Sequence, residues 1–194
     1  MGESLSTKIE TIQVCHALIQ TPKFLRLLLQ IDADLAAQMH AAGCPCGGVL
    51  HRANYPRKPR ACPKEVRADF ESRLSFCCNL CRKRSTSASV RFLGRRVYLG
   101  LVVVLAPQRR TTLSAIAVQV VDALAIPERT IARWRHWWRQ LFCLTPLWQA
   151  ACARFMPPVQ TINLPASLIE RFSGGAAEVA MRLLAFLRPL SVRL

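Results

Sequence analysis

The sequence contains few acidic residues. Asp and Glu together number 11 against 27 Lys and Arg, which gives a formal net charge of +16 over 194 residues and a pI near 10.6. Such a cationic chain is expected to bind a polyanion, with an anionic membrane surface as the second choice. Residues 51–100 carry 13 basic residues against three acids, whereas residues 1–42 carry three against four. We therefore expect the contact surface to lie in the middle of the chain.

Long hydrophobic runs are also missing. The most apolar run, Val97 to Ala106, is half the length of about 20 residues that a membrane-spanning helix needs. Residues 1–10 are polar, and no apolar segment follows at the distance typical of a secretory signal. These absences predict a soluble, cytoplasmic protein without a membrane partner.

Histidine is scarce, and this bears on metal chemistry. The four His residues, at 16, 40, 51 and 136, are scattered, and none is paired with a Glu. Catalytic zinc usually keeps an open position among His or carboxylate ligands, with a general base nearby. We therefore expect any metal in this protein to be structural.

Cysteine, in contrast, is abundant and clustered. Five of the nine cysteines lie in "CPCGG" (44–48) and "FCCNLC" (76–81). In a reducing cytosol, clustered cysteines indicate metal ligands rather than disulfides. Zinc takes four tetrahedral ligands, which proteins usually deliver as two close pairs. The sequence therefore predicts a structural zinc ribbon with the ligands Cys44, Cys46, Cys78 and Cys81.

Two alternatives to this ligand set stay open. Only one residue separates Cys44 from Cys46, so Cys77 and His51 are candidate substitutes. The other alternative is a set of thiols without metal. The four remaining cysteines lack partners at ligand spacing and are expected to be core or incidental thiols: Cys15, Cys62, Cys143 and Cys152.

The order of the segments predicts a mainly α protein with a small β zinc ribbon and a helix-turn-helix in its second half. We divide it into an N-terminal helical segment (1–42), a basic zinc-ribbon module (43–96), a helix-turn-helix domain (97–142) and a C-terminal helical segment (143–194). In the ribbon, "GGVLHRA" and "SVRFLGRRVYL" are expected to pair as strands. Two apolar helical faces are predicted: Phe24, Leu27, Leu28, Ile31 and Leu35 after a break at Thr21, and Val179, Leu183, Leu184, Phe186 and Leu187 near the C-terminus.

Residues 112–142 favour two helices joined by a short turn. Pro127 suits the first turn of the second helix, after a break at Ala125 and Ile126. The first helix has an N-cap candidate at Thr112 or Ser114 and one apolar face: Leu113, Ile116, Ala117, Val120, Val121 and Leu124. In the second helix, the residues expected to pack on the first are Ile131, Trp134, Trp138 and Leu141.

The rest of the second helix suits a DNA major groove. The residues expected to point outward are Arg129, Thr130, Arg133, His136, Trp137 and Gln140. Arg, Thr and Gln can bond base edges, and residues near the start of a recognition helix usually meet the bases, so Arg129, Thr130 and Arg133 are predicted to contact bases. Arg135 and Arg139 are predicted to hold phosphates. The alternative is an ordinary amphipathic helical hairpin with a solvated basic face.

Arginine-rich connectors surround the proposed ligands. No acidic residue occurs between Glu71 and Asp122. Such cationic segments suit sequence-independent phosphate binding, which weakens steeply with salt. The residues predicted for this role are Arg57, Lys58, Arg60, Lys64, Arg82, Lys83, Arg84, Arg91, Arg95 and Arg96.

Taken together, "CPCGG…HRANYPRKPR", "SFCC…CRKR…SVRFLGRRVY" and "LAIPERTIARWRHWW" resemble transposase-like proteins encoded by bacterial insertion sequences and related mobile elements. The resemblance covers about residues 43–142. It implies a bacterial, nucleoid-associated protein in which a zinc ribbon is joined to a helix-turn-helix. Its implied partners are double-stranded DNA and a separate transposase or a second copy of the chain.

Catalysis is not expected from these residues. Metal-dependent strand transfer needs three carboxylates, and only Glu128, Glu170 and Glu178 follow residue 122. The sequence therefore favours an accessory or regulatory DNA-binding protein. One alternative is a catalytically active unusual or truncated transposase. The other is an RNA-binding zinc-ribbon protein in which Trp137, Tyr55 and Phe92 stack on bases.

Overall fold

The computed structural model describes residues 15–94, 97–108 and 115–192. Within them the chain is mainly helical with small antiparallel sheets, as the sequence predicts. It divides into two compact units, Met1–Thr21 with Gly100–Phe186 and Pro22–Leu99 with Leu187–Leu194. The two units do not follow the four predicted segments, because the first segment is divided at Thr21.

The second unit begins with helix α1 (Pro22–Ala42), which starts after the predicted break at Thr21. Gly43 ends the helix with a φ of 70°, the left-handed conformation that glycine adopts without strain. The predicted apolar face is wrong at Leu27, which is 47% exposed. The buried stripe of α1 consists of Phe24, Leu25, Leu28, Asp32 and Ala36.

Five short strands follow α1 in the second unit. They are β1 (Leu50–Arg52), β2 (Tyr55–Pro56), β3 (Ser72–Arg73), β4 (Ser75–Cys78) and β5 (Arg84–Thr86). Strand β4 lies between β1 and β5, and β2 pairs with β3, all antiparallel. Between β2 and β3, a 3-10 turn (Lys64–Val66) leads into helix α2 (Arg67–Phe70).

The predicted strand pairing is partly wrong. Strand β1 falls within "GGVLHRA" as expected, but its partner is β4 and not "SVRFLGRRVYL". The latter stretch forms only isolated bridges, at Phe92 and Tyr98, in its described residues. Leu50, Phe76 and Cys78, on one face of β1 and β4, form a core cluster with Ala36 of α1. The cysteine-rich segment is thus anchored on α1.

A buried ion pair crosses the second unit. The Nε of Arg91 donates to Oδ2 of Asp32 at 2.7 Å, and the two side chains are 1% and 0% exposed. The carboxylate also accepts a hydrogen bond from the Val90 backbone N–H at 2.7 Å and one from the Ser89 hydroxyl. Because burying unpaired charges is costly, these contacts compensate both groups. The prediction that Arg91 binds phosphate is therefore wrong.

The first unit is built from helices. They are α3 (Gly100–Leu105), α4 (Ala115–Ala123), α5 (Glu128–His136), a π-helical turn (Trp137–Leu141), α6 (Pro146–Ala151), α7 (Ala166–Ile169) and α8 (Ala176–Leu187). Short 3-10 turns complete the described secondary structure: Leu18–Gln20, Phe142–Leu144, Cys152–Arg154, Thr161–Asn163 and, in the second unit, Arg188–Ser191. Every residue of α3 is buried. A helix that is apolar on all sides belongs in a core, and this burial outweighs the strand preference of Val102–Val104.

The π turn determines which aromatic side chains enter the core of the first unit. Trp137 and Trp138 are 6% and 0% exposed, and the indole N–H of Trp138 donates to the Val103 carbonyl at 3.1 Å. Leu141, predicted to be buried, is 49% exposed, while Phe142 is fully buried. The extra residue of a π turn shifts the helical register by one, so Phe142 takes the inward position that Leu141 would hold in a regular α-helix.

The C-terminal helix agrees with the predicted amphipathic segment. Val179, Leu183, Leu184 and Leu187 of α8 are each at most 1% exposed, and Phe186 is half-buried. These residues recur at three- and four-residue steps, so a single face of the helix is buried.

Candidate metal centre and nucleic-acid interface

Four cysteine sulfurs meet between two turns of the second unit. Cys44 and Cys46 lie in the turn before β1, Cys78 ends β4, and Cys81 lies in the turn after it. The Sγ atom of Cys46 is 3.4 Å from those of Cys44 and Cys78, and the sulfurs of Cys44 and Cys81 are 3.6 Å apart. All four sulfurs lie within 4.8 Å of one another. The structure therefore brings the four predicted ligands together.

Glycine makes the one-residue spacing of the first pair workable. Gly47 has a φ of 80°, and its N–H donates to the Cys44 carbonyl at 2.9 Å, which closes the turn. At Gly48 an added Cβ would lie 2.4 Å from the Cys78 sulfur. Only glycine allows the backbone to approach the sulfurs this closely.

The second turn is tied to the first by two hydrogen bonds between Val49 and Asn79. The Asn79 N–H donates to the Val49 carbonyl at 3.0 Å, and the Val49 N–H donates to Oδ1 of Asn79 at 2.8 Å. The Cys78 N–H donates to the Lys83 carbonyl at 3.1 Å, and Arg82 adopts a φ of 58° to close the turn. We call residues 44–86, which contain both turns and the three-stranded sheet, the cysteine module.

Cys44 and Cys46 differ in proton affinity. Hydrogen bonds from the Gly48 backbone N–H and then from the neighbouring thiols lower the pKa of Cys46 to about 6. At Cys44, the Cys46 backbone N–H favours the thiolate, but the hydrogen bond to the Cys46 sulfur and burial outweigh it and raise the pKa to about 12. Cys44 therefore holds its proton more tightly than Cys46, and a metal ion that binds both sulfurs must displace it.

The spacing of the sulfurs fits one metal ion. A tetrahedral ion with metal–sulfur bonds of about 2.3 Å places its ligand atoms about 3.8 Å apart. The closest sulfur separations of 3.4–3.6 Å are near this edge length. Because the four thiolates would occupy all four positions, such a site leaves no room for a substrate. The arrangement suits a structural ion.

The two alternative ligands lie away from the sulfurs. Cys77 follows Phe76 and precedes Cys78 on β4, so strand alternation directs its side chain to the opposite face. Its Sγ donates to the Arg82 carbonyl at 3.5 Å. His51 is exposed and is the register partner of Cys77 on β1. Neither belongs to the group of four in the described part of the chain.

The remaining cysteines are placed among core and surface groups. Cys15 and Cys62 are 1% and 4% exposed, and burial raises the pKa of each thiol to about 11. Cys143 and Cys152 are half-buried, and burial also raises the pKa of Cys143. A buried, protonated thiol is a poor metal ligand, which agrees with the prediction that Cys15 and Cys62 are core residues.

Some of the cations in the connectors are exposed, and others donate hydrogen bonds to groups of the protein. Lys58, Arg60, Lys64, Arg82 and Lys83 are exposed. The guanidinium of Arg57 donates to the Gly94 carbonyl at 2.7 Å and lies near the Tyr55 and Phe92 rings. Arg84 is exposed but donates to the Ala53 carbonyl and the Ser75 hydroxyl. Arg95 and Arg96 lie outside the described residues.

Arg52 and Arg67 are exposed cations of the cysteine module that the predicted phosphate contacts do not include. Arg52 lies at the end of β1 and is exposed, close in sequence to the first metal-ligand turn. Because Arg52 belongs to the basic stretch "HRANYPRKPR", the sequence was sufficient to predict it as a phosphate contact.

The helical pair is present in the first unit. Helices α4 and α5 are joined by residues 124–127, where Ala125 takes a left-handed φ of 48° and its N–H donates to the Asp122 carbonyl at 3.0 Å. Pro127 lies immediately before Glu128, and its carbonyl accepts the first helical hydrogen bond. On α4, Ala117, Val120 and Val121 are buried as predicted. Thr112, Leu113 and Ser114 lie outside the described residues, as does the side chain of Ile116.

The outward face of the second helix differs from the prediction at two positions. Arg129, Arg133, His136 and Gln140 are exposed. Thr130 and Trp137 are 7% and 6% exposed, so the prediction that they point outward is wrong. Both lie three or four residues from Trp134, within the width of a normal apolar stripe.

The two arginines predicted to bind phosphate, Arg135 and Arg139, are not fully exposed. Arg135 donates to the Pro107 carbonyl at 3.0 Å and forms an ion pair with Glu128 at 2.9 Å. Arg139 is half-buried. The exposed stripe available to a ligand therefore consists of Arg129, Arg133, His136 and Gln140.

Two of the three aromatic residues considered for RNA stacking are not accessible. Phe92 is 0% exposed and Trp137 6%, whereas Tyr55 is half-buried. Stacking on a base requires an open ring face, so Phe92 and Trp137 do not fit this role.

A scan against family models and searches of curated proteins and of solved structures find no match. Among the described helices, none combines the length and apolar character needed to cross a bilayer. The functional argument therefore depends on the geometry of the site.

Proposed function

We propose that this protein is a DNA-binding accessory or regulatory component of a bacterial mobile genetic element. In this proposal the cysteine module holds a structural zinc ion and contacts phosphates, and helix α5 reads bases as the second helix of a helix-turn-helix. The observation that carries the proposal is the closed four-sulfur group within a cationic, acid-poor module. Its expected partners are double-stranded DNA and a separate transposase or a second copy of the chain.

Zinc is the ion that best suits the four sulfurs. Soft thiolate ligands in a tetrahedral set favour zinc or iron over magnesium and calcium, which prefer oxygen. A structural zinc ion supplies folding free energy that short strands with little core do not. The cysteine module is of this kind, because its strands have two to four residues and its core cluster has four buried residues.

The exposed face of α5 supports DNA as the partner. Arg129, Arg133 and His136 follow one another at steps of four and three residues, so they share one side of α5. Exposed Gln140 lies in the π-helical turn that continues α5. Arginine can bond guanine with two hydrogen bonds, and glutamine can do the same with adenine. The exposed cations Lys58, Arg60, Arg82 and Lys83 can add phosphate contacts that carry no sequence information.

Selection from a random duplex pool tests this function. We expect the zinc-loaded protein to enrich a short common sequence, with an affinity that falls linearly on a plot of log K against log salt. Retained fragments should be sequenced at two salt concentrations. Fragments with no common sequence would contradict base recognition by α5, and absence of duplex binding at low salt would contradict the proposal as a whole.

Replacing Arg133 by alanine tests the role of α5. We expect specific binding to weaken by about 1–3 kcal/mol and base preference to relax at one position, because a bidentate contact is lost. Repeating the selection with the variant measures both effects. Arg154, an exposed arginine of the first unit outside α4 and α5, provides the matched control. Arg154→Ala removes the same charge and should leave the preferred sequence unchanged; equal effects of both variants would contradict the assignment.

A further inference from the structure

Two exposed aliphatic side chains project from the turns that carry the cysteine sulfurs. Val49 is 57% exposed and Leu80 is 66% exposed. The two turns are joined by the hydrogen bonds between Val49 and Asn79, and an added Cβ on Gly48 would lie 3.0 Å from the Leu80 Cβ. Val49 and Leu80 therefore lie on two adjoining, hydrogen-bonded turns, and we call this pair of exposed side chains the knuckle tip.

Val49 and Leu80 do not belong to the core cluster of the cysteine module. The core cluster of the module consists of Ala36, Leu50, Phe76 and Cys78, with Met39, Cys44, Leu74 and Cys81 packed against it. Val49 and Leu80 are absent from that cluster, although the residues on either side of Leu80 in the CNLC turn are held in place. Large aliphatic side chains that remain in water on a rigid turn gain free energy only when a partner covers them.

The charges around the knuckle tip define the chemistry of that partner. Arg82 and Lys83 follow Cys81 directly and are exposed, and exposed Arg52 ends the strand that begins after Val49. Residues 35–64 and 72–121 contain no Asp or Glu. The three acids of the module, Glu65, Asp69 and Glu71, lie between β2 and β3 and not in the two sulfur-bearing turns. The cations next to the tip in sequence therefore favour an anionic partner. A second copy of this chain carries the same net charge of +16, which disfavours it as the occupant.

Duplex DNA satisfies both requirements. Proteins that bend DNA insert aliphatic side chains between base steps from the minor groove, while nearby Arg and Lys contact the groove and the phosphates. The insertion needs a rigid support, because a mobile loop would fold its apolar side chains back onto the protein. The two hydrogen-bonded turns around the four sulfurs provide that rigidity.

From these observations we infer that the knuckle tip is a DNA-bending wedge. Leu80 enters a base step with Val49 beside it, and Arg82 and Lys83 hold the flanking phosphates. This inference rests on the proposed DNA-binding function, and it adds deformation of the duplex as a second activity of the cysteine module. The wedge selects DNA sequences by how easily a base step opens. Helix α5, in contrast, is proposed to select them by contacts with base edges.

The test measures binding and bending separately on one duplex of selected sequence. The duplex carries a donor and an acceptor fluorophore at its two ends, and Kd is measured by anisotropy under the same conditions. We expect the zinc-loaded wild-type protein to bend the duplex by about 20–90° and so to raise energy transfer. Leu80→Ser should lower the bend by at least half. Its Kd should change by less than about tenfold, because the lost apolar contact is offset by the base step that no longer has to open.

A matched control variant and a binding measurement on lipid vesicles complete the test. Leu144 is 73% exposed and lies outside the module, so Leu144→Ser removes an equally exposed aliphatic group and should leave the bend unchanged. Straight DNA in the wild-type complex, or an unchanged bend with Leu80→Ser, would overturn the wedge and leave the proposed function standing. Absence of duplex binding by every variant would overturn both. Vesicles of phosphatidylserine and phosphatidylcholine provide the remaining comparison: loss of vesicle binding in Leu80→Ser with unaltered DNA bending would assign the tip to a lipid surface and overturn the inference.

Discussion

Replacing Cys81 by serine is expected to abolish metal binding and to unfold the cysteine module. The purified wild-type protein should contain about one zinc ion per chain, and the variant close to none, because three thiolates cannot complete the tetrahedral set. Structural zinc contributes about 10–16 kcal/mol of apparent binding free energy in zinc-finger peptides at neutral pH. Little else in the module can replace that contribution, since its strands are two to four residues long.

Two probes can localise the effect of Cys81→Ser. All four tryptophans lie in Gly100–Phe186 of the first unit, whereas Tyr55 and Tyr98 lie in the second. Amide hydrogen exchange over residues 44–86 reports directly on the module. We expect protection there to collapse in the variant, while tryptophan fluorescence measures how far the first unit retains its fold. Metal content is measured by elemental analysis.

Cys77→Ser is the control for this prediction. Cys77 precedes Cys78 on β4, but its side chain lies on the opposite face and its thiol bonds the Arg82 carbonyl. The control should keep one zinc ion and its exchange protection. Full zinc content in Cys81→Ser would contradict the assigned ligand set, and loss of zinc in Cys77→Ser would indicate that Cys77 replaces one of the four.

The cysteine cluster was predictable from sequence because metal ligands come in short local pairs. Each pair spans at most four residues, and glycine follows the first, so neither pair depends on distant parts of the chain. Strand pairing is different. The choice of β4 over "SVRFLGRRVYL" as the partner of β1 depends on which apolar face can be buried against α1, and no local pattern records that choice.

The error at Leu141 is caused by a change of helical phase. A helical wheel with 3.6 residues per turn predicts the correct face for Trp134 and Trp138. It cannot predict the π turn, which places Phe142 in the core instead of Leu141.

In α1, Asp32 lies four residues from both Leu28 and Ala36, on the buried stripe. A lone acid at such a position is a signal for a buried partner, although only the fold could identify that partner as Arg91.

Replacing Asp32 by alanine is expected to be the most destabilising change outside the metal centre. Removing one member of a buried ion pair costs about 3–5 kcal/mol, because the other charge is left without compensation. The variant would also deprive the Val90 N–H and the Ser89 hydroxyl of their acceptor. A second guanidinium is affected: burial lowers the pKa of Arg73, and the charge of Asp32 opposes this shift. The free energy of unfolding of the second unit should therefore fall by about 3–5 kcal/mol.

Urea unfolding of the zinc-loaded protein measures this loss. Zinc release to a chromogenic chelator and tyrosine emission follow the second unit, because the cysteine module and both tyrosines belong to it. The matched control is Asp34→Ala, since Asp34 is exposed on the same helix and bonds only the Gln30 side chain among its described side-chain contacts. The control should change the unfolding free energy by less than about 0.5 kcal/mol. Equal midpoints for Asp32→Ala and the wild-type protein would show that Arg91 finds another partner or water, and that the ion pair does not stabilise the fold.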